Sequence, residues 1–258
     1  MDMEIAGLRV LVTAGAAGIG LGIARAFARE GAEVFVCDVD QAALDTLAKS
    51  DPALERSVCD VADRAAVARL FDTAITKLGG LDVLVNNAGI AGPTGRVEDI
   101  HPEDWDRCVA VCLTGQFNCA RLAVSHLRKS KNASIVNLSS AAGKFGFAMR
   151  APYAAAKWGV IGFTKSLAIE LGDAGIRVNA ILPGLVAGDR QRRVLEAKAQ
   201  QLGISYKEME GRAFSFTSVK DYVTAEQLAD QIVFLASPRG RTISGQAISV
   251  DGDTRMLG

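Results

Sequence analysis

The sequence predicts an α/β fold in which helices cover both faces of a single, doubly wound parallel sheet. Apolar, strand-like runs alternate with amphipathic helical stretches along nearly the whole chain. The strand-like runs are apolar at consecutive positions, which is typical of strands that are buried on both faces of a sheet. Because no repeat, low-complexity stretch or linker interrupts this alternation, residues 1–258 are predicted to form one domain with about seven strands.

The predicted strands are short and rich in β-branched residues, and they cover 8–13, 34–37, a run that ends near Cys59, 81–85, 134–138, 177–182 and 247–250. The predicted helices carry apolar residues at helical spacing. The first contains Ile23, Ala24, Phe27 and Ala28, and the others cover 42–49, 64–77, 103–128, 153–171 and 225–235.

One segment, 185–221, departs from this alternation. It is long and polar, and it is basic in part, with Arg190, Arg192, Arg193 and Lys198. Long insertions in compact domains are usually lids or binding loops. We therefore expect a substrate loop here, with a surface excursion that has no function as the alternative.

Composition and charge argue against several classes of function. The 258 residues have a formal net charge of zero and no basic stripe, so no nucleic-acid partner is expected. No apolar run approaches the roughly 20 residues of a membrane span. The first residues include Asp2 and Glu4 and lack a signal pattern, so we expect a cytoplasmic protein without a membrane partner.

The cysteines and histidines do not predict a metal site. The five cysteines lack the spacing of a disulfide framework, and the two histidines show no ligand spacing relative to them. Cys37 and Cys59 end apolar runs, where small buried thiols fit, and Cys108, Cys112 and Cys119 can share one stripe of a helix. Structural thiols are the interpretation that we favour.

A glycine-rich loop, residues 13–20, follows the first predicted strand and precedes the first helix. It is called the nucleotide loop below. Small residues in such a loop let the backbone approach a pyrophosphate, and the helix N-terminus favours anions. The same glycines also suit a tight turn, but the strand–loop–helix context favours a nucleotide. The residues predicted to border the cofactor here are Gly15, Ala17, Gly18, Ile19 and Gly20.

Polar side chains at the ends of the next strands extend this predicted site. Asp38 follows the second strand, where a carboxylate binds ribose hydroxyls and repels a 2′-phosphate, so NAD is favoured over NADP; a solvated strand-end carboxylate is the alternative. Asp60 and Val61 are predicted to contact the adenine edge. The fourth strand ends in Asn86-Asn87-Ala88-Gly89, of which Asn87, Ala88 and Gly89 are predicted cofactor contacts.

Tyr153 and Lys157 would lie on one face of the helix predicted over 153–171. A phenol is a weak base at neutral pH, and a neighbouring ammonium favours the phenolate. Ser140 follows the strand predicted over 134–138, and its hydroxyl would hold a substrate oxygen. The Tyr–Lys spacing alone occurs by chance in many helices. Together with the nucleotide loop and Asp38, it predicts proton transfer at a carbinol during hydride transfer.

With these motifs and Pro183-Gly184 in order, the whole chain resembles the classical short-chain dehydrogenase/reductase family. The resemblance implies a Rossmann-type fold, with Tyr153 as the catalytic acid/base. It further implies that Lys157 binds the nicotinamide ribose and activates the tyrosine, and that Ser140 steadies the substrate oxygen. Pro183, Gly184 and Val186 would line the nicotinamide side. The resemblance also implies that 185–221 is the variable substrate loop, and that the protein is a homotetramer or homodimer paired through its two long helices.

Two residues depart from the family pattern. Ala14 stands at the first glycine of the loop, which we expect to be tolerated if its φ stays negative. Cys112 stands where many members have a catalytic asparagine, and a thiol is the weaker hydrogen-bonding group. We predict that Cys112→Asn preserves or raises activity.

The motifs predict an NAD-dependent enzyme that interconverts a secondary alcohol and a ketone, or a sugar hemiacetal and a lactone. Lys144, Arg150 and Arg190 suit a sugar, a sugar acid or a hydroxy acid, whereas Phe145 and Phe147, with Met149, suit a flatter apolar ring. A 3-oxoacyl-thioester reductase is the alternative enzyme, although such enzymes usually prefer NADPH. A non-catalytic NAD-binding scaffold or sensor is the alternative of another class.

Overall fold

The computed structural model describes residues 2–257, so Met1 and Gly258, the ends of the predicted domain, lie outside the described residues. Within this range, parallel strands form one sheet in the order β3-β2-β1-β4-β5-β6-β7. The strands are β1 Arg9–Thr13, β2 Glu33–Asp38, β3 Glu55–Val58, β4 Val83–Asn86, β5 Ser134–Leu138, β6 Arg177–Pro183 and β7 Ala247–Val250. The predicted doubly wound parallel sheet is confirmed.

The helices pack on both faces of this sheet, as the alternation of buried residues within β1 requires. The α-helices are α1 Gly18–Arg29, α2 Gln41–Ser50, α3 Arg64–Leu78, α4 Pro102–Val109, α5 Gly115–Leu127, α6 Ala151–Leu171, α7 Asp189–Leu202, α8 Tyr206–Ser215 and α9 Ala225–Ala236. Val10 and Val12 belong to the core under α1, α2 and α9, whereas Leu11 belongs to the core under α3 and α5.

The helix predicted over 103–128 is interrupted by one π turn, Ala110–Thr114, which separates α4 from α5. In this turn the N–H of Gly115 donates to the carbonyl of Ala110, so one residue is added to the usual helical repeat. The stretch Pro102–Leu127 is the one described helix that is long and apolar enough to cross a membrane, with a mean hydropathy of 1.2. Half of that apolar window is buried inside the protein, as in a core helix, so the match is weak support for a membrane span.

The segment predicted as a substrate loop, 185–221, is largely helical and contains α7 and α8. The two helices enclose a small core of their own, formed by Leu195, Ala199 and Met209. Ser205 caps α8 through a hydrogen bond from the N–H of Glu208. The two helices were not predicted from the sequence, because only a narrow apolar stripe of each is buried and the rest of the segment is polar.

Candidate active site

A cavity of about 810 Å³ opens at the carboxyl ends of the parallel strands. The chain runs from β1 outward to β3 and then returns to place β4 on the other side of β1. This reversal of strand order leaves a crevice at the strand ends, which is the usual ligand site of a doubly wound sheet. Two groups of residues meet in the cavity: the nucleotide loop and Asp38 at one end, and Ser140, Tyr153 and Lys157 at the other.

The first turn of α1 provides an anion site at the nucleotide end. Ala17 occupies the N-cap position, and no side chain caps the helix there. The first backbone N–H groups are therefore left for a ligand. Gly18 has a φ of +53°, and a methyl group at this position would meet no atom within 4 Å. Ala17, Gly18, Ile19 and Gly20 all line the cavity, so this donor set fits a pyrophosphate.

Two glycines of the loop are needed for packing inside the protein. A Cβ on Gly15 would lie 2.7 Å from Val36, and a Cβ on Gly20 would lie 2.0 Å from the carbonyl oxygen of Ala14. Gly15 itself does not line the cavity. Ala14 has a φ of +51°, so the condition under which alanine was expected to be tolerated here is not met: the left-handed conformation belongs to Ala14 and not to Gly15.

Asp38 ends β2 and lines the cavity beside the nucleotide loop. Its carboxylate accepts hydrogen bonds from the N–H groups of Ala16 and Asp40, at 3.2 Å each. Asp40 lines the same end of the cavity. No cationic residue from β1, β2 or α1 lines the cavity. The cationic residues that do line it belong to α6 or α7, or directly precede α6: Arg150, Lys157, Arg190, Arg193 and Lys198.

Asn87 ties β4 to the nucleotide loop. Its Nδ2 donates to the carbonyl oxygens of Thr13 and Ala14, at 3.0 Å each. The hydroxyl oxygen of Thr13 in turn accepts from the N–H groups of Asn87 and Ala88, at 3.0 Å each. Asn87 and Gly89 line the cavity, whereas Ala88 is buried behind them. Thr13 therefore positions the nucleotide loop. In the sequence, the feature that indicates this role is a hydroxyl side chain at the last residue of β1.

Asp60 and Val61, which were predicted at the adenine edge, do not line the cavity. The Asp60 carboxylate pairs with Arg107 at 2.9 Å. Val61 is buried against Gly115, where a Cβ would lie 2.6 Å from the Val61 side chain. Both residues are thus held by α4 and α5, because the connection after β3 turns under these helices.

Ser140, Tyr153 and Lys157 line the cavity together. The buried ammonium of Lys157 donates to the carbonyl oxygen of Leu138 at 2.7 Å and lies 5.7 Å from the centroid of the Tyr153 ring. The hydroxyl oxygen of Ser140 accepts from the N–H of Ala142 at 3.1 Å. The helix therefore brings the phenol and the ammonium together as its spacing predicted, and the end of β5 adds the hydroxyl.

Two close backbone contacts shape the walls beside these three side chains. Gly143 lets the turn after β5 approach α6, because a Cβ there would lie 2.6 Å from the carbonyl oxygen of Lys157. Gly184 lets the end of β6 approach Asp251, whose Cα would lie 2.6 Å from a Cβ. Gly184 lines the cavity together with Pro183 and Val186, as predicted from the sequence.

Cys112 lies in the π turn, close to Lys157. Its Sγ is 3.4 Å from both the nitrogen and the oxygen of the Ile90 backbone, so the thiol accepts from one and donates to the other. The hydrogen bond from the Cys108 thiol and the Lys157 cation lower the pKa of Cys112, against the opposing effect of burial. Gly89, directly before Ile90, lies next to both side chains: a Cβ on Gly89 would be 3.5 Å from Nζ of Lys157 and 3.6 Å from Sγ of Cys112. The Cys112 thiol is therefore bonded to the backbone beside Lys157.

The end of the cavity away from the nucleotide loop, called the substrate end below, is cationic. Arg150, Arg190 and Lys198 line it, whereas Lys144 and Phe145 do not. Arg150 and Lys198 are buried, and burial together with the charge of Arg150 lowers the pKa of Lys198 to about 8. Lys198 was not predicted to be buried in a cavity, because it belongs to a polar segment that was predicted to form a loop.

The chain was compared with known proteins. A family model described as enoyl-(acyl carrier protein) reductase matches residues 14–253. The 3-oxoacyl-(acyl-carrier-protein) reductase FabG of Thermotoga maritima is 37% identical over 254 residues, which are 97% of this chain and 98% of that protein.

Two solved structures are also similar to this chain. A variant of actinorhodin polyketide ketoreductase with NADPH has a TM-score of 0.90 at 33% identity, covering 97% of each chain. NAD⁺-bound xylitol dehydrogenase has a TM-score of 0.91 at 27% identity, covering 96% of this chain and 99% of that one.

Proposed function

Since the chain belongs to the classical short-chain dehydrogenase/reductase family, as its motifs predicted, we propose that it is an NAD-dependent oxidoreductase. It interconverts a secondary alcohol and a ketone, or a sugar hemiacetal and a lactone. The observation that carries this proposal is that Ser140, Tyr153 and Lys157 line one cavity with an uncapped helix N-terminus and Asp38.

The residues of the chain have separate tasks in this reaction. When bound, the nicotinamide cofactor supplies the hydride acceptor in the oxidation and the hydride donor in the reduction. The Ser140 hydroxyl holds the substrate oxygen, and the Tyr153 phenolate takes the alcohol proton as the hydride leaves the carbinol carbon. The Lys157 ammonium, fixed by the Leu138 carbonyl, favours that phenolate. In the reduction, Tyr153 returns the proton to the ketone oxygen.

NAD is the proposed cofactor because the nucleotide end of the cavity is acidic. Asp38 and Asp40 line it, and no cation from β1, β2 or α1 stands with them. A carboxylate at Asp38 suits the two ribose hydroxyls of NAD, whereas the 2′-phosphate of NADP would meet negative charge. The proposed cofactor contacts beyond Asp38 are Ala17, Gly18, Ile19, Gly20, Asn87, Gly89, Tyr153, Lys157, Pro183, Gly184 and Val186.

A 3-oxoacyl-thioester reductase is the second candidate, and the 37% identity to such a reductase favours it. The two candidates differ in cofactor and in direction, since a thioester reductase would consume the reduced cofactor on an acyl thioester. A scaffold that binds NAD without catalysis is the third. Retention of Ser140, Tyr153 and Lys157 in one cavity argues against it.

The test is a cofactor absorbance assay with NAD⁺ and NADP⁺ across polyols, aldoses, sugar acids and hydroxy acids, and with NADH and NADPH across ketones and acyl thioesters. We expect NAD(H)-dependent turnover that Tyr153→Phe abolishes without loss of NADH binding. Turnover of acyl thioesters alone with NADPH would establish the second candidate. NADH binding without turnover on any substrate would favour the scaffold.

We further propose that residues 1–258 act as one catalytic domain in the cytoplasm, with 185–221 as a helical lid over the substrate. The described cysteines are all free and buried, which suits a reducing compartment. A homotetramer or homodimer is proposed because Phe117 and Trp158, with Ile169, leave apolar surface exposed on α5 and α6. Gly162 on α6 faces open space, whereas Gly159 packs against Leu113 of its own chain.

A further inference from the structure

We propose that the substrate end of the cavity binds a carboxylate, with the buried guanidinium of Arg150 as its main partner. The substrate is then a hydroxy acid or the corresponding oxo acid. This inference rests on the proposed function, because it names the substrate class of the same site.

Arg150 has hydrogen-bonding capacity that the protein does not use. The residue is 2% exposed and lines the cavity. Its Nη2 donates to the carbonyl oxygen of Ala91, but Nε and Nη1 have no hydrogen-bond partner among residues 2–257. Buried charged donors without partners are costly, so an acceptor is expected from a ligand. Both nitrogens are covered by neighbouring side chains, so the ligand reaches them when these side chains move aside. A carboxylate offers two oxygens and about four acceptor positions for these N–H groups.

The position of Arg150 relates this anion site to the reacting atoms. Its Cζ lies 5.2 Å from the centroid of the Tyr153 ring and 5.4 Å from that of Phe147. A substrate whose carbinol oxygen meets the Tyr153 hydroxyl can therefore place at Arg150 an acid group that is a few bonds from the carbinol carbon. A short or cyclic hydroxy acid satisfies this geometry.

The surrounding charges strengthen the attraction for an anion. The ammonium of Lys198 lies 4.0 Å from the Phe147 ring centroid, and the guanidinium of the exposed Arg190 lies 5.9 Å from that of Tyr153. Asp38 and Asp40 line the opposite, nucleotide end of the cavity, whereas Asp189, exposed at the start of α7, lines the cavity beside Arg190. Arg150, Arg190 and Lys198 outnumber this carboxylate, so the cavity end beside Arg150 carries a net positive charge.

Apolar side chains from α7, from α8 and the residue after it, and from the C-terminal segment also line the cavity. They include Leu195, Met209, Phe216, Met256 and Leu257. A hydrocarbon body of the substrate can pack against these side chains. Gln191, Thr217 and Thr254 line the cavity as well and can accept or donate hydrogen bonds.

The test compares secondary 2-, 3- and 4-hydroxyalkanoates and 4-hydroxycyclohexanecarboxylate with their methyl esters, with NAD⁺ as the cofactor. At least one acid should exceed its ester in kcat/KM by roughly 100-fold, as expected for a buried charge pair. Arg150→Met should bring the ratio of acid to ester kcat/KM, measured in the same variant, close to one, whereas Arg150→Lys should restore part of that ratio. Arg192→Met is the matched control, because Arg192 is exposed, pairs with Glu196 and does not line the cavity.

A second readout is the affinity of unreactive butanoate for the NADH complex, measured by calorimetry. Arg150→Met should weaken it by roughly 100-fold, and Lys198→Met should weaken it as well if the first variant does not fold. Esters that react as fast as their acids, or butanoate binding that neither variant changes, would overturn the carboxylate site while the dehydrogenase function stands. Arg150-dependent butanoate binding without turnover of any alcohol would instead overturn the proposed function alone.

Discussion

Replacing Gly20 by alanine should destabilise the protein even in the absence of a cofactor. A Cβ at Gly20 would lie 2.0 Å from the carbonyl oxygen of Ala14 and 2.6 Å from Nδ2 of Asn87. Contacts of this kind are essentially never shorter than 3.0 Å, so the carbonyl would have to retreat by about 1 Å. The atoms in the way are backbone and a bonded amide, which cannot rotate aside.

The magnitude follows from the bonds that this movement disturbs. Overpacking costs about 1–3 kcal/mol. The Asn87 amide donates to Thr13 and Ala14, and each of these hydrogen bonds contributes about 0.5–1.5 kcal/mol. The helix propensity of alanine returns up to about 1 kcal/mol. We therefore expect Gly20→Ala to lower the free energy of unfolding by about 3 kcal/mol.

The assay is urea unfolding followed by circular dichroism without cofactor, with two matched glycine variants as controls. Gly18→Ala keeps a φ of +53° in open space, so it should cost only about 1 kcal/mol. Gly211→Ala, on the exposed face of α8 with no neighbour within 4 Å, should add about 0.5–1 kcal/mol. If Gly20→Ala unfolds at the wild-type urea concentration and loses only NADH affinity, the packing argument is refuted.

Three further predictions concern the site. Cys112→Asn should preserve or raise kcat, because an amide replaces two weak 3.4 Å thiol contacts to Ile90 with stronger ones; a large loss would show that the thiol has a task of its own. Asp38→Ser should lower kcat/KM with NAD⁺ by about tenfold and raise it with NADP⁺, as measured with one alcohol and both cofactors. Burial and Arg150 lower the pKa of Lys198 to about 8, so its ammonium is lost above that pH. The KM of a hydroxy acid should then rise above pH 8 while that of its methyl ester stays level, and a parallel rise of both would contradict the role of Lys198.

The sequence could predict those features that depend on local pattern. Runs of mostly apolar residues identified strands such as β1 and β2, because a strand buried on both faces has few polar positions. The spacing of Tyr153 and Lys157 on one helix, and the loop between β1 and α1, follow from the same local rules. Gly18 and Asp38 could be predicted at the cavity because each follows or ends a strand, and the carboxyl ends of parallel strands lie at one edge of the sheet.

The features that the sequence did not predict depend on contacts between distant segments. Lys198 is buried with its ammonium 4.0 Å from the centroid of the Phe147 ring, although lysine in a polar helix is normally exposed. Ala14 has a positive φ, and its carbonyl accepts a hydrogen bond from Asn87, which follows β4 and lies 73 residues away. The π turn adds a single residue to a helix, which is too small a change to alter the apolar periodicity of 103–128.

That π turn explains how a cysteine can stand where the family pattern has an asparagine. The side chain of Gln116 donates to the carbonyl of Cys112 at 3.3 Å and to that of Leu138 at 3.1 Å. The Leu138 carbonyl is also the acceptor that holds Lys157. The Lys157 ammonium is therefore positioned by the backbone of β5, which Gln116 ties to the π turn. Cys112 itself contacts Ile90 and Cys108, whereas the hydrogen bond that fixes Lys157 goes to Leu138, so this bond does not require an asparagine at position 112.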